Sequence, residues 1–187
     1  TYEEAKIRNW VGNGARVLVE RGLSGNIKIN HAFSQEEVDI ALDKFLICYR
    51  TLETKSTVLY DGVAATLKTL KAHGFTLALV TNKPSEFIEP ILTSFSLLPL
   101  FSITIGGDTL LEKKPSALPL MHACEKLGVL PSECVMVGDS KNDILAAKAA
   151  NIKSIGLTYG YNYGESIATY QPDWVFDSFR DILSLRA

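Results

Sequence analysis

The residues with the clearest chemical use are two aspartates that follow a short apolar run. Residues 135–138 have the composition of a buried parallel strand, and Asp139 and Asp143 come after them. Residues 143–150 favour a helix, which is predicted to begin near Ser140. Both carboxylates are therefore expected where ligands bind in α/β proteins, and their oxygens suit Mg²⁺. Alternatively, Asp139 or Ser140 caps the helix and Asp143 complements its dipole.

Polar groups that could bind phosphate follow a second predicted strand, residues 75–80. Thr81 and Asn82 supply a hydroxyl and an amide, and backbone N–H groups follow them ahead of a predicted helix over residues 85–95. Such groups suit phosphate oxygens. Alternatively, the segment is a polar turn in which Pro84 starts the helix.

A pair of lysines follows a third predicted strand, residues 102–105. Lys113 and Lys114 precede a predicted helix over residues 117–127. An ammonium at this edge would neutralise a carboxylate and a phosphoryl group together, whereas the alternative is that both lysines are solvated surface charges. Because the carboxyl ends of parallel strands share one edge, the hydroxyl, the ammonium and the two carboxylates are predicted to form one site.

The composition is that of an ordinary globular protein. The chain has 187 residues, of which 47% are hydrophobic and 21% charged, and its net charge is −2. This charge argues against a nucleic-acid or membrane-surface partner, and no stretch is long and apolar enough to span a bilayer. The three cysteines favour reduced thiols, and residues 1–4 do not resemble a signal peptide. We therefore expect a cytoplasmic monomer or homodimer that binds a small molecule.

Helix and strand periodicities divide the chain near residue 55. Residues 1–55 show helical periodicity over residues 3–20 and 34–50 and no strand pattern. From residue 56, helices alternate with strands, which predicts a doubly wound parallel sheet covered on both faces. The predicted fold class is α/β, with a small α-helical cap over residues 1–55 and an α/β core over residues 56–187. The remaining predicted elements are helices over residues 63–73, 141–150 and 178–185 and strands over residues 153–157 and 173–176.

These motifs together resemble the haloacid dehalogenase-like hydrolases. The second, third and fourth motifs of that family are similar to residues 81–83, 114–115 and 138–143. Residues 10–15, 105–108 and 156–164 resemble, within the family, a subfamily of bacterial phosphatases that act on 2-phosphoglycolate. The resemblance covers essentially the whole chain, and it implies a Rossmann-like core below the helical cap.

The resemblance also implies a role for each motif residue. Thr81 and Asn82 would bind the phosphoryl oxygens, Asp139 would ligate Mg²⁺, and Lys114 would offset the charge of phosphate and nucleophile. Asp143 would be catalytic together with Lys114, by orienting that lysine or a water at the metal. The implied reaction is phosphoryl transfer to an aspartate followed by hydrolysis, with a small phosphorylated metabolite as substrate. A sugar-phosphate phosphatase, a phosphomutase and a non-catalytic phosphate-binding module are alternatives.

The sequence departs from the family at its first motif, D-x-D-G-T, which supplies the nucleophile. No D-x-D occurs in the 187 residues. In the family this motif ends a central strand, between the strands that here end at Thr81 and Asp139. Without that strand we expect two unpaired strand edges and exposed apolar side chains in the sheet. We therefore expect that the natural protein extends before Thr1 and that residues 1–187 alone are inactive.

The predicted lid contains an unusual pair of glycines around Asn13. Gly12 and Gly14 fall within the helical periodicity of residues 3–20, where each glycine costs roughly 1 kcal/mol relative to Ala. One explanation is a kink that lets two lid helices pack closely. The other is a substrate-binding break, in which backbone N–H groups and the Asn13 amide meet the substrate when the lid closes.

Overall fold

Two parallel sheets form the α/β part of the protein. The computed structural model describes residues 1–185, and within that range residues 53–56 are described by their backbone alone. β1 pairs with β2 in a sheet of two strands, and β3, β4 and β5 form a sheet of three in that order. All pairs are parallel, as predicted for strands that alternate with helices. The strands are β1 (Leu77–Val80), β2 (Phe101–Ile105), β3 (Val135–Gly138), β4 (Lys153–Leu157) and β5 (Trp174–Phe176).

The helices follow the predicted order, with four α-helices before the first strand. The predicted boundary between a cap of residues 1–55 and a core of residues 56–187 stays a prediction, and residues 186 and 187 lie outside the described part. No helix among the described residues has the length and apolar character needed to cross a membrane. The helices are α1 (Glu4–Arg8), α2 (Ala15–Ser24), α3 (Gln35–Ser56), α4 (Val63–Ala72), α5 (Ile88–Ser94), α6 (Leu118–Leu127) and α7 (Lys141–Ala149).

Two helical predictions need correction in detail. The helical periodicity of residues 3–20 is divided into α1 and α2, and the interruption includes Gly12 and Gly14, where the sequence indicated a kink or a break. Gly12 and Gly14 have φ values of 122° and 88°, which residues other than glycine rarely adopt. Gly14 is the N-cap residue of α2. The predicted helix over residues 178–185 is a 3₁₀ helix, Phe179–Ser184.

A gap separates the two sheets where a central strand was expected. β1 is an edge strand of the two-stranded sheet, and β3 is the facing edge strand of the three-stranded sheet. Neither strand pairs with a second strand among the described residues. Side chains of both strands reach solvent there: Ala78 is exposed, and Val135 is 49% exposed although it lies in an apolar strand. The predicted pair of unpaired strand edges is therefore present.

One face of the gap is covered by packed helices. Leu120 and Cys124 of α6 pack with Ala146 and Ala147 of α7, and Val80 of β1 packs against the same cluster. Small side chains on α7 let the two helices approach, since Ala146 and Ala147 are fully buried. This packing places the end of β1 close to the start of α7.

Candidate active site

Lys114 and Asp143 form a buried ion pair at the end of the gap. The Lys114 ammonium donates to the carbonyl oxygen of Val80 at 2.5 Å and to Oδ1 of Asp143 at 2.6 Å. The other carboxylate oxygen of Asp143 accepts from the backbone N–H of Ser140 at 3.0 Å, which completes a capping box at the start of α7. Ser140 therefore caps α7, as one interpretation of the sequence predicted, and Asp143 combines its place in the first turn with the ion pair to Lys114.

The pairing leaves Lys114 with further binding capacity. An ammonium has three N–H donors, and the described contacts of Lys114 use two of them. Its charge is balanced by Asp143 within a site where both side chains are only 8% exposed. A phosphoryl oxygen could accept the third N–H, in surroundings where water screens the attraction weakly.

Asp139 follows β3 and is held by the loop after β4. Its Oδ2 accepts from the backbone N–H of Tyr161 at 3.0 Å. Gly160 lies against the carboxylate so closely that a Cβ at this position would be 1.7 Å from Oδ2. Burial raises the pKa of Asp139, and the negative charge of Asp143 raises it further. A cation bound at Asp139 would stabilise the charged carboxylate and so oppose the effect of burial and of Asp143.

The described carboxylates fit a Mg²⁺ ion as part of its ligand set. Mg²⁺ prefers oxygen ligands, and Asp139 has Oδ1 available while Oδ2 accepts one backbone N–H. Asp143 fits less well as a direct ligand because Lys114 and Ser140 use its two oxygens. Among the side chains that the structure describes, no group of three or more His, Cys, Asp or Glu could hold a metal ion. Asp139 therefore fits as one ligand, and the other ligands would be water, substrate or residues from elsewhere.

Thr81 and Asn82 follow the end of β1, next to the ion pair of Lys114 and Asp143. The Thr81 hydroxyl accepts from the backbone N–H of Lys83 at 3.1 Å, so its own proton can be donated to a phosphate oxygen. The Asn82 amide donates to the carbonyl of Lys114 at 2.8 Å and to that of Gly12 at 3.0 Å. Both N–H groups of the side chain are used, and phosphate binding by Asn82 would rely on its backbone N–H.

The loop between α1 and α2 contacts the core through the carbonyl of Gly12. This oxygen accepts from the side-chain amides of Asn82 at 3.0 Å and Asn142 at 3.1 Å. Oδ1 of Asn13 accepts from the Tyr163 hydroxyl and from Arg21. In these contacts the loop supplies hydrogen-bond acceptors, namely the carbonyl oxygen of Gly12 and Oδ1 of Asn13. The contacts between its N–H groups and a substrate stay a prediction.

Three residues around the site have no role predicted from the sequence. Asn142 lies within the segment that contains both aspartates, and Gly160 and Tyr163 lie in residues 156–164, where the sequence shows only a resemblance. Their contacts join segments more than 20 residues apart, and no local periodicity reports such pairs. The cluster of Gly and Tyr in residues 159–164 was the available signal.

Comparison with known proteins identifies relatives along nearly the whole chain. Residues 14–157 match the family model described as haloacid dehalogenase-like hydrolase. The phosphoglycolate phosphatase of Colwellia psychrerythraea is 53% identical over 183 residues, which cover 98% of this chain and 81% of that protein. The phosphoglycolate phosphatase of Salmonella typhimurium is 43% identical over 194 residues, covering 96% and 77%.

A solved structure supports the same assignment of fold. The crystal structure of a predicted phosphoglycolate phosphatase from Haemophilus somnus has a TM-score of 0.89 and 39% identity, and the match covers 98% of this chain and 82% of that one. The predicted α/β fold class with a Rossmann-like core is confirmed by this match and by the family model.

Proposed function

The chain belongs to the haloacid dehalogenase-like hydrolases, and from this premise we propose that it forms most of a Mg²⁺-dependent phosphatase that hydrolyses 2-phosphoglycolate to glycolate and phosphate. The names of the relatives support this substrate, because two phosphoglycolate phosphatases are 53% and 43% identical to the chain. The geometry supports the reaction class.

The position of Lys114 is the observation that carries the proposal. A buried ammonium, paired with the Asp143 carboxylate and hydrogen-bonded to the Val80 carbonyl, has one N–H group left at the carboxyl end of β1. The Thr81 hydroxyl lies at the same strand end with its proton available. Together they form a binding site for the oxygens of a phosphoryl group.

Each residue contributes positioning or charge stabilisation. Lys114 donates to a phosphoryl oxygen and offsets the negative charge that develops during transfer. Asp143 keeps the Lys114 ammonium in place through its 2.6 Å contact, and the Ser140 N–H fixes Asp143 in turn. When bound, Mg²⁺ would lower the repulsion between the phosphate and the anionic groups around it, and Asp139 would be one of its ligands.

The nucleophile is proposed to be an aspartate that enters the gap between β1 and β3. Both facing edges have free backbone groups among the described residues, and a strand there would end beside Lys114, Thr81 and Asp139. The first step would form an acyl phosphate on that aspartate and release glycolate, and water would then hydrolyse the acyl phosphate.

We further infer a small phosphorylated metabolite as the binding partner, and a reducing compartment such as the cytoplasm. The three cysteines are free in the structure, which fits such a compartment. A monomer or a homodimer is compatible with this proposal.

The experiment is a turnover screen with the protein expressed from its full coding sequence. Initial rates are measured for 2-phosphoglycolate, glucose 6-phosphate and p-nitrophenyl phosphate, each with Mg²⁺ and with a chelator. We expect the highest kcat/KM for 2-phosphoglycolate and no turnover without Mg²⁺. A higher kcat/KM for the sugar phosphate would identify a sugar-phosphate phosphatase instead. Phosphate binding without turnover of any ester would identify a non-catalytic module.

A further inference from the structure

Lys113 and Lys114 are adjacent in sequence but have different surroundings. Lys114 is buried and contacts Val80 and Asp143. Lys113 is half-buried, and its ammonium has no hydrogen bond or ion pair with any residue that the structure describes. Two other half-buried lysines do have partners: Lys83 contacts the Tyr49 hydroxyl, and Lys141 lies 3.5 Å from Glu165. An anionic ligand beside Lys113 would therefore meet an ammonium whose charge no described protein group neutralises.

The Lys113 ammonium lies beside Gly14, in the loop of residues 9–14 that joins α1 and α2, here called the cap loop. A Cβ on Gly14 would be 3.1 Å from Nζ of Lys113 and 3.2 Å from the backbone oxygen of Asn82. Asn82 in turn donates to the backbone of Lys114 at 2.8 Å. The two adjacent lysines therefore have ammoniums in different places, that of Lys114 at the strand ends and that of Lys113 beside the cap loop.

We propose that Lys113 binds the carboxylate of the substrate while Lys114 binds its phosphoryl group. This inference rests on the proposed function and names the residue that selects an acid over a neutral ester. In 2-phosphoglycolate, one methylene and one ester oxygen separate the two anionic groups, so two neighbouring cationic residues suit it. The Lys114 charge is balanced by Asp143, and the second anion of the substrate pairs with the Lys113 ammonium, which has no partner among the described side chains.

Gly14 brings the cap backbone close to Lys113. With a φ of 88° and no side chain, Gly14 lets the cap backbone approach Nζ to a distance at which a Cβ would already be tightly packed. Lys113 is a specificity residue in this scheme, and the transfer of the phosphoryl group does not require it.

Two phosphonates that differ in one group test the assignment. 3-Phosphonopropionate has the carboxylate and a phosphonate that cannot be hydrolysed, and propylphosphonate lacks the carboxylate. Their inhibition constants are measured against hydrolysis of p-nitrophenyl phosphate, with the protein from its full coding sequence and its Lys113→Met and Lys113→Arg variants. Their dissociation constants are measured by calorimetry on the same proteins.

We expect Lys113→Met to weaken 3-phosphonopropionate about tenfold or more, where tenfold corresponds to ~1.4 kcal/mol. Propylphosphonate should change less than about twofold, and Lys113→Arg should recover most of the lost affinity. Lys126→Met, at an exposed position in the last turn of α6, is the control and should change neither constant.

Two results would overturn the inference. An equal loss for both phosphonates would mean that Lys113 only shapes the closed cap, and no loss for either would mean that it is a surface charge. Calorimetry separates this inference from the proposed function. A protein that turns over no ester yet binds 3-phosphonopropionate through Lys113 would refute the phosphatase and keep the carboxylate site.

Discussion

Nζ of Lys114 lies 2.6 Å from Oδ1 of Asp143 and joins the end of β1 to the first turn of α7 across the gap between the sheets. The contact therefore has a structural and a chemical consequence. It connects two sheets that share no backbone pairing among the described residues, and it positions the ammonium proposed to bind phosphate.

Lys114→Met should lower both turnover and stability. The variant removes the proposed phosphate-binding ammonium and leaves Asp143 buried without a cation, which costs about 3–5 kcal/mol for a buried pair. We expect kcat to fall at least about a hundredfold, or ~2.7 kcal/mol in activation free energy. Turnover and urea unfolding measure the two effects. Lys113→Met should keep kcat within about threefold, and equal losses of kcat in the two variants would show that the wrong lysine was assigned.

Asp139→Asn should weaken Mg²⁺ binding and turnover together. The amide keeps the shape of the side chain but removes the anionic oxygen offered to the metal. Mg²⁺ titration of activity and of thermal stability should shift to higher metal concentration. Activity that survives within about threefold, less than 1 kcal/mol, would exclude Asp139 as a direct ligand.

Gly160→Ala should displace the Asp139 carboxylate. The added Cβ would lie 1.7 Å from Oδ2, and φ at this position is 110°. Gly74→Ala is the matched control, because Gly74 has a φ of 87° but nothing within 4 Å of the added Cβ. We expect both variants to lose about 1–2 kcal/mol of stability from backbone strain, and only Gly160→Ala to lose Mg²⁺ affinity. If both bind Mg²⁺ equally, the loop does not support Asp139.

Tyr163→Phe should loosen the cap loop. Its hydroxyl contacts Asn13 and accepts from Asn142 at 3.3 Å, so its removal breaks one contact on the cap and one on α7. Hydrogen exchange of residues 10–14 should speed up, and KM should rise for 2-phosphoglycolate and for p-nitrophenyl phosphate alike. A rise of KM for 2-phosphoglycolate alone would instead place this contact at the substrate carboxylate.

The reactivity of Cys134 should depend steeply on pH. Burial, followed by contact with Cys124, raises the pKa of the Cys134 thiol to about 11. Because the thiolate is the reactive form and only roughly one Cys134 thiol in a thousand is ionised at pH 8, alkylation should be slow there and about a hundredfold faster at pH 10. Alkylation with iodoacetamide followed by mass spectrometry should modify the exposed Cys48 first. Rapid modification of Cys134 at pH 8 would contradict the raised pKa.

The sequence predicted best what depends on neighbours along the chain. Strand positions and the start of α7 follow from local composition, and the edge shared by Lys114 and Asp143 follows from the rule for parallel strands. The periodicity of residues 3–20 was misleading because the apolar spacing continues through the loop, although the two glycines signalled the break. Contacts such as Asn142 to Gly12 depend on where the cap settles, which local pattern does not encode.

The carbonyl of Gly12 is shared between an amide from each side of the gap. Asn82 follows β1 of the two-stranded sheet, and Asn142 lies on α7 after β3 of the three-stranded sheet. A hydrogen bond weakens steeply once its atoms separate by more than a few tenths of an ångström from the usual range. One oxygen can keep both partners only at one width of the gap. The distance between the two sheets and the position of the cap loop are therefore coupled. A motion that widens the gap would break at least one of the two hydrogen bonds that hold Gly12.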